Sequence, residues 1–301
     1  MIRIIHKRKY AYVVSSVLIL AAIVSIATWG LRLGIDFQGG TLLEIRFETE
    51  TAPEQSAVEE ILDPLALRSL TIQATGERGQ IIRYLSSDEA VNESVMAALR
   101  ELDPELTVLR TDFIGASVSE QIKQNAFWGI VFSILGIAAY IAFAFRKVSY
   151  PVSSWEYGFG AVVALTHDIL ITVGCFVLFG VFFGVEIGVP FIAALLTILG
   201  YSVNDTIVVF DRIRENILRS KSKSDFEEIV NRSVNETMSR SINTSVTVLL
   251  VLAALVLFGG EGIKWFSAAL FIGVLFGTYS SIFVASALLV TRNAWAKRAA
   301  K

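Results

Sequence analysis

Charge-free apolar runs recur along the chain at lengths that predict six long helices. Tyr10 to Leu31 carries no charge between Lys9 and Arg32, and Gln124 to Phe145 none between Lys123 and Arg146. Tyr157 to Val185 is broken only by Asp168, and Ile187 to Phe210 only by Asp205. Ser241 to Gly260 and Trp265 to Thr291 carry none. Each run reaches the roughly 20 residues that cross a hydrocarbon core at about 1.5 Å rise per residue. Core helices of a soluble protein do not account for six such runs. The expected spans are 10–31, 124–145, 157–183, 190–210, 241–258 and 265–291, the last five forming a bundle over 124–291. The first is too long for a signal-peptide core and lacks a small-x-small cleavage site, so it reads as a retained span.

Residues 32–123 follow a different pattern. Thr41 to Phe47 alternates and is rich enough in β-formers for a strand. Pro53 opens a helix through about Leu65, and Leu70–Thr75 and Gln80–Leu85 read as strands around the Gly76-Glu-Arg-Gly79 turn. Ser87-Asp-Glu-Ala90 is an N-cap signature for a helix to about Leu102; Pro104 ends it, and Leu106–Phe113 is the last strand. The order βαββαβ is that of a ferredoxin-like split unit. The expected fold is thus a polytopic α-helical membrane protein, six transmembrane helices with one α+β ferredoxin-like domain between the first and second. This domain has no His, no nucleophile beside a base and no Gly-rich phosphate loop, so it reads as a binding or lever element. No catalytic or metal site is expected. Gly34-Ile-Asp-Phe-Gln-Gly-Gly40 joins it to the first span. Asp36, Phe37, Gln38, Gly39 and Gly40 are either a turn whose glycines supply positive φ or a hinge on which the domain swings.

Composition agrees with a membrane protein: 54% of the 301 residues are apolar, only 18% charged, and the mean hydropathy is +0.61. A disordered chain, a nucleic-acid binder and an ordinary cytosolic enzyme are excluded. The formal charge of −2 is an average over unlike parts. Residues 32–123 hold 8 basic and 17 acidic residues, a net of −9, and the remainder carries +7. With the N-terminus inside, segments 1–9, 146–156, 211–240 and 292–301 place 17 basic residues inside, against Lys264 alone in the outside turns. Both termini are therefore expected in the cytoplasm and the 32–123 domain outside. Within 211–240, Phe226, Ile229, Val230, Val234 and Met238 share one stripe, as in an amphipathic interfacial helix. The single Cys175 allows neither an intrachain disulfide nor a Cys-based metal site.

The candidate chemistry lies in the spans, where an ionisable residue costs at least ~2.5–3.5 kcal/mol on insertion scales. Asp168, preceded by His167, is near the middle of the third span; adjacent helical positions lie about 100° apart, so the two are not expected to face one another. Asp205 follows Asn204 in the fourth span, with Ser202 at i−3 positioned to hydrogen-bond it. A fifth helix starting before its apolar stretch would carry Arg240, Asn243 and Thr244 to the depth of Asp205. Asp205 with Arg240 is then either a static buried ion pair or a proton site. The two carboxylates and His167 favour a proton path. Asp211-Arg-Ile-Arg-Glu-Asn216 forms a charged collar with Arg212–Glu215 pairing, and Gly273-Val-Leu-Phe-Gly277 is a small-xxx-small packing face.

Four stretches resemble the SecF family, the smaller subunits of the bacterial SecDF complex, related to the RND transporters: Gly34 to Gly40, Thr166-His-Asp168, Gly200 to Asn216, and Ala285-Ser-Ala287. The resemblance runs from end to end. It implies a proton-motive-force-driven subunit in the bacterial cytoplasmic membrane that assists and completes Sec-dependent export of polypeptides. Protons are the coupling ion, with no other cofactor. The implied partners are a SecD-like subunit, the SecYEG translocon, YajC/YidC-type accessory proteins and the translocating polypeptide. The family's membrane acid falls on Asp205 and its arginine on Arg240. Two other readings share the buried acids: half of an RND-type proton-coupled solute transporter, and an intramembrane aspartyl protease. The protease would want Gly-x-Gly-Asp, where this chain has Ser-Val-Asn-Asp.

Overall fold

The structure, a computed structural model, describes residues 2–49, 51–86, 88–146, 151–220 and 225–299. It divides into two compact units, residues 33–127 and the remainder. The first helix, α1 (Arg8–Trp29), follows a 3₁₀ turn at Ile5–Lys7 and ends at Gly30, whose φ is 67°.

The smaller unit begins with the single turn α2 (Ile35–Gln38) and continues β1 (Gly40–Arg46), α3 (Gln55–Leu62), β2 (Thr71–Thr75), β3 (Gly79–Tyr84), α4 (Glu89–Leu102) and β4 (Thr107–Ile114). The sheet order is β2-β3-β1-β4, with every neighbouring pair antiparallel. Alternation along β1 and β3 sends Leu43, Ile45, Phe47, Ile82 and Tyr84 to one face. There they meet Val58 and Leu62 of α3 and Val95 and Leu99 of α4 in one buried core. Asp88 caps α4 by accepting from the Ala90 N–H at 3.1 Å; Ser87, the other expected cap residue, lies outside the described residues. The Tyr84 hydroxyl donates to Asn92 Oδ1 at 2.7 Å, and burial pushes its pKa up to about 12.

Gly39 and Gly40 have φ of 78° and 116°, and Gly40 pairs with Ile114 in the sheet. Phe37 is buried. Asp36 to Gly40 thus form one short helical turn and the paired start of a strand. A Cβ on Gly40 would run into the Tyr84 carbonyl oxygen, whereas one on Gly76, at φ 63°, meets nothing within 4 Å. Gly40→Ala is expected to cost about 3 kcal/mol in this unit, and Gly76→Ala only about 1 kcal/mol, since left-handed backbone alone accounts for the latter. Thermal unfolding of the two purified variants side by side measures the difference; equal losses would remove the assignment of Gly40 as a close-approach position.

The remaining helices are α5 (Ala116–Ala144), α6 (Ser154–Phe183), α7 (Val189–Arg219), α8 (Phe226–Phe258) and α9 (Glu261–Ser280), the last running through a π-helical segment, Ser281–Ala285, into α10 (Ser286–Ala299). Among the described residues, six helices are long and apolar enough to cross a membrane: Ile5–Trp29, α5, α6, α7, α8 and Gly262–Arg298. Local signals set their ends. The Ser153 N–H donates to Glu156 Oε2 at 2.8 Å at the start of α6, Gly184 closes it at φ 68°, and Pro190 opens α7. Glycines admit close contacts: a Cβ on Gly174 would sit 2.5 Å from Ala22 Cβ of α1, and one on Gly273 would strike the Ile198 side chain of α7. Gly273 and Gly277 are therefore the packing face that their spacing suggests.

One expectation is corrected. Segment 211–240 is not a separate interfacial helix; its described residues extend α7 to Arg219 and begin α8 at Phe226. Phe226, Val230 and Val234 pack into the protein core with Ile4, Ile5, Phe210 and Ile213. An apolar stripe is indifferent to whether lipid or protein covers it, and here α7 and the N-terminal residues do. Arg212 joins the two helix ends, its Nε donating to Glu236 Oε2 at 2.6 Å and its Nη1 to Glu215 Oε2 at 2.5 Å.

Candidate functional site

The two intramembrane carboxylates occupy separate cells on either side of α7. Asp168 of α6 is completely buried. Ser202 Oγ of α7 and Ser280 Oγ of α9 both donate to its Oδ2, at 2.6 and 2.8 Å, and His167 Nδ1 lies 2.9 Å from its Oδ1. His167 and Asp168 therefore do meet, contrary to the expectation from helical spacing. The 100° offset separates Cβ directions, and rotation about the side-chain bonds brings the ring round to the carboxylate. The His167 ring stacks near that of Tyr279, with centroids 6.0 Å apart, and Tyr279 in turn donates to the Ala11 carbonyl of α1 at 3.0 Å. His167 Nε2 is buried without a hydrogen-bond partner among the described residues.

The π-helical segment follows Ser280 directly. It sets Ser281 Oγ 2.8 Å from Thr206 Oγ1, and Ser281 also donates to the Gly277 carbonyl at 2.9 Å. The helices α6, α7 and α9 are tied together here through the Asp168 carboxylate and a set of hydroxyls, with no lysine or arginine bonded to it among the described residues.

Asp205 is placed differently. Its Oδ1 accepts from Ser241 Oγ of α8 at 2.5 Å, and its Oδ2 is buried with no hydrogen-bond partner among the described residues. Ser202 was expected to serve Asp205 but turns to Asp168, because the rotation of α7 aims it at the α6–α9 side. Asp205 faces a cavity of about 300 Å³ between α7 and α8, lined also by Tyr201, Asn204, Arg240, Ser241 and Thr244. Asn243 is exposed and is not part of that lining. Arg240 shares the cavity wall with Asp205, and among the described residues no ion pair joins the two. A second groove of about 420 Å³, lined by Asp211, Arg212, Glu215, Glu236 and Thr237, shares Val208 and Arg240 with the first and lies toward the C-terminal end of α7 and the N-terminal end of α8.

Three contributors escaped the reading by residue type: Ser241, Ser280 and Tyr201, the last donating to Ser245 Oγ at 3.2 Å. The available signal was the recurrence of hydroxyls at i and i+4 in otherwise apolar spans, as at Ser241 and Ser245. A buried carboxylate with one oxygen unbonded has a ready place for a proton, and its ionised form requires a cation nearby. Arg240, which lines the same cavity on a long side chain, supplies a cation for such a need.

Comparisons with known proteins agree over nearly the full length of the chain. The family model described as "Protein export membrane protein SecD/SecF, C-terminal" matches residues 94–295, and that described as "SecD/SecF GG Motif" matches residues 24–51. The protein translocase subunit SecF of Thermobaculum terrenum is 44% identical over 97% of this chain and 94% of its own length. That of Rhodothermus marinus is 42% identical over 96% and 92%. Among solved structures, SecDF of Thermus thermophilus, described as a translocon-associated membrane protein, superposes with a TM-score of 0.83 at 32% identity over 98% of this chain. This chain spans 38% of that one. SecDF in a super-membrane-facing form gives a TM-score of 0.68 at 34% identity.

Proposed function

The chain belongs to the SecD/SecF family of protein-export membrane proteins, and from that premise we propose that it works as a SecF subunit, coupling proton entry to polypeptide export. The observation that carries the coupling is Asp205: a buried carboxylate with one oxygen bonded to Ser241 and the other without a hydrogen-bond partner among the described residues, opening on a polar cavity that Arg240 also lines. In this reading Asp205 alternates between neutral and ionised forms. When it is neutral, the Ser241 bond suffices and Arg240 stays at the cavity wall. When it ionises, a charge beside apolar helices demands a counter-ion, and Arg240 is drawn toward it. The pull falls between α7 and α8, so protonation changes how these two helices pack. Asn204 and Thr244 line the same cavity and would hydrate the proton's path. His167 and Asp168 stand apart as a sealed cluster with its own partners.

We take residues 33–127 as a ferredoxin-like domain outside the membrane: the βαββαβ order and the β2-β3-β1-β4 antiparallel sheet support the fold, and the acidic charge supports the side. The basic rims of 1–9, 211–240 and 292–301 support cytoplasmic termini in a bacterial cytoplasmic membrane. A SecD-like subunit is the expected partner, since the superposed SecDF chains are more than twice as long as this one. SecYEG, YajC/YidC-type proteins and the exported polypeptide follow from the family.

The test is export into vesicles containing this chain, a SecD-like chain and the translocon, with and without an imposed proton gradient. Export should rise with the gradient, and a protonophore should remove the rise. If the added export survives collapse of the gradient, the coupling proposed here is wrong.

A further inference from the structure

An apolar groove of about 530 Å³ lies beside α1, outside both carboxylate cells. Its floor is Tyr279, Phe283 and Ala287, which recur at i, i+4 and i+8 and so extend over ~12 Å of helix. Ala11 and Val14 of α1 form one wall. The other end is different. There the lining is Arg3, Lys7 and Arg8, and no acidic residue lines the groove among the described residues. Arg8 is taken by Glu227 at 2.7 Å, but Arg3 and Lys7 are exposed and enter no ion pair among the described residues. The N-terminal residues that carry these cations are held in place. Ile5 N–H donates to Asn231 Oδ1 at 3.1 Å, Ile2 N–H donates to Asn235 Oδ1 at 2.9 Å, and both asparagines return a bond to the Ile2 carbonyl. The cationic end is thus a fixed feature of the fold, set where α1 leaves its apolar run.

We propose that this groove binds an anionic phospholipid, its acyl chain along Tyr279, Phe283 and Ala287 and its phosphate between Arg3 and Lys7. The volume suits a small-molecule site, the apolar length runs in the direction of the spans, and the charge sits at the end where a headgroup would lie. A partner helix would bring apolar side chains to the floor but would leave the two cations unanswered. The lipid answers both ends at once.

The experiment uses the full purified chain in detergent, doped with phosphatidylglycerol or with phosphatidylcholine of the same acyl chains. Native mass spectrometry reads the bound lipid, and thermal unfolding reads its effect. Phosphatidylglycerol should remain bound and raise the Tm, and phosphatidylcholine should do neither. The pair Arg3→Gln and Lys7→Gln should lose that preference, and Val14→Trp, which fills the groove mouth with the cations intact, should lose the adduct. The pair Lys297→Gln and Arg298→Gln removes the same charge away from the groove and should change nothing. The proposal is overturned by equal retention of both lipids, or by an equal loss in the Lys297/Arg298 pair, which would mean diffuse attraction. It is also overturned if glycerol phosphate alone gives the full Tm rise, or if a polypeptide and not a lipid occupies the groove.

Discussion

Asp205→Asn is expected to abolish the gradient-dependent part of export while leaving the chain folded. Asparagine has the shape of the neutral acid, and its Oδ1 can still accept from Ser241, so the contact between α7 and α8 that Asp205 makes at 2.5 Å is retained. It cannot ionise. The variant is therefore fixed in the protonated form, and Arg240 is never drawn across the cavity. Gradient-independent export and the Tm should stay close to those of the parent. Arg240→Gln fails from the other side: the carboxylate still titrates but its ionised form has no cation, so the coupled increment should also disappear. Arg240→Lys should retain part of it, a point charge replacing a planar one. The same Asp205→Asn variant separates the competing readings, because a solute-transporter half would lose efflux and an aspartyl protease would lose peptide cleavage. Full gradient-dependent export by Asp205→Asn would end the assignment.

The spans were legible in the chain because a charge is hard to place in hydrocarbon, so its absence over twenty residues is itself informative. The smaller unit was legible for a different reason. Alternation along Thr41–Phe47 and the Gly76–Gly79 turn report on one sheet face, and the structure buries Leu43, Ile45 and Phe47 together. What could not be read was the rotation of each helix about its axis. Ser202 lies on the turn before Asp205, and spacing along α7 alone assigns it there. Only the packing of α7 against α6 and α9 sends its hydroxyl to Asp168. Ser241 reaches Asp205 for the same reason, from a helix whose start could not be placed by hydropathy. The stripe at Phe226, Val230 and Val234 shows the limit most plainly: its amphipathicity was real, but its cover is protein.

Asp168→Ala is expected to be the most destabilising single change in the membrane unit, and its cost is one of structure before it is one of proton transfer. Asp168 has no exposed surface and holds Ser202, Ser280 and His167 at 2.6 to 2.9 Å. Removing it leaves the Ser202 hydroxyl and His167 Nδ1 buried without their partner, at roughly 1–3 kcal/mol for each, and opens a small void as well, while the Ser280 hydroxyl keeps its bond to the Gly277 carbonyl at 3.1 Å. A loss of at least about 2 kcal/mol should appear as a clear drop in Tm of the purified chain. Deleting the donors with the acceptor should recover part of it, since a polar pair replaced on both sides by apolar groups is close to neutral. The triple change Asp168→Ala, Ser202→Ala, Ser280→Ala should therefore unfold at a higher temperature than Asp168→Ala alone, and a mutant cycle measures that coupling directly. A contrary result is equally readable. If Asp168→Ala keeps the parent Tm and still loses gradient-dependent export, Asp168 and His167 belong to the proton path with Asp205, and the sealed cluster is part of the relay and not a separate clamp.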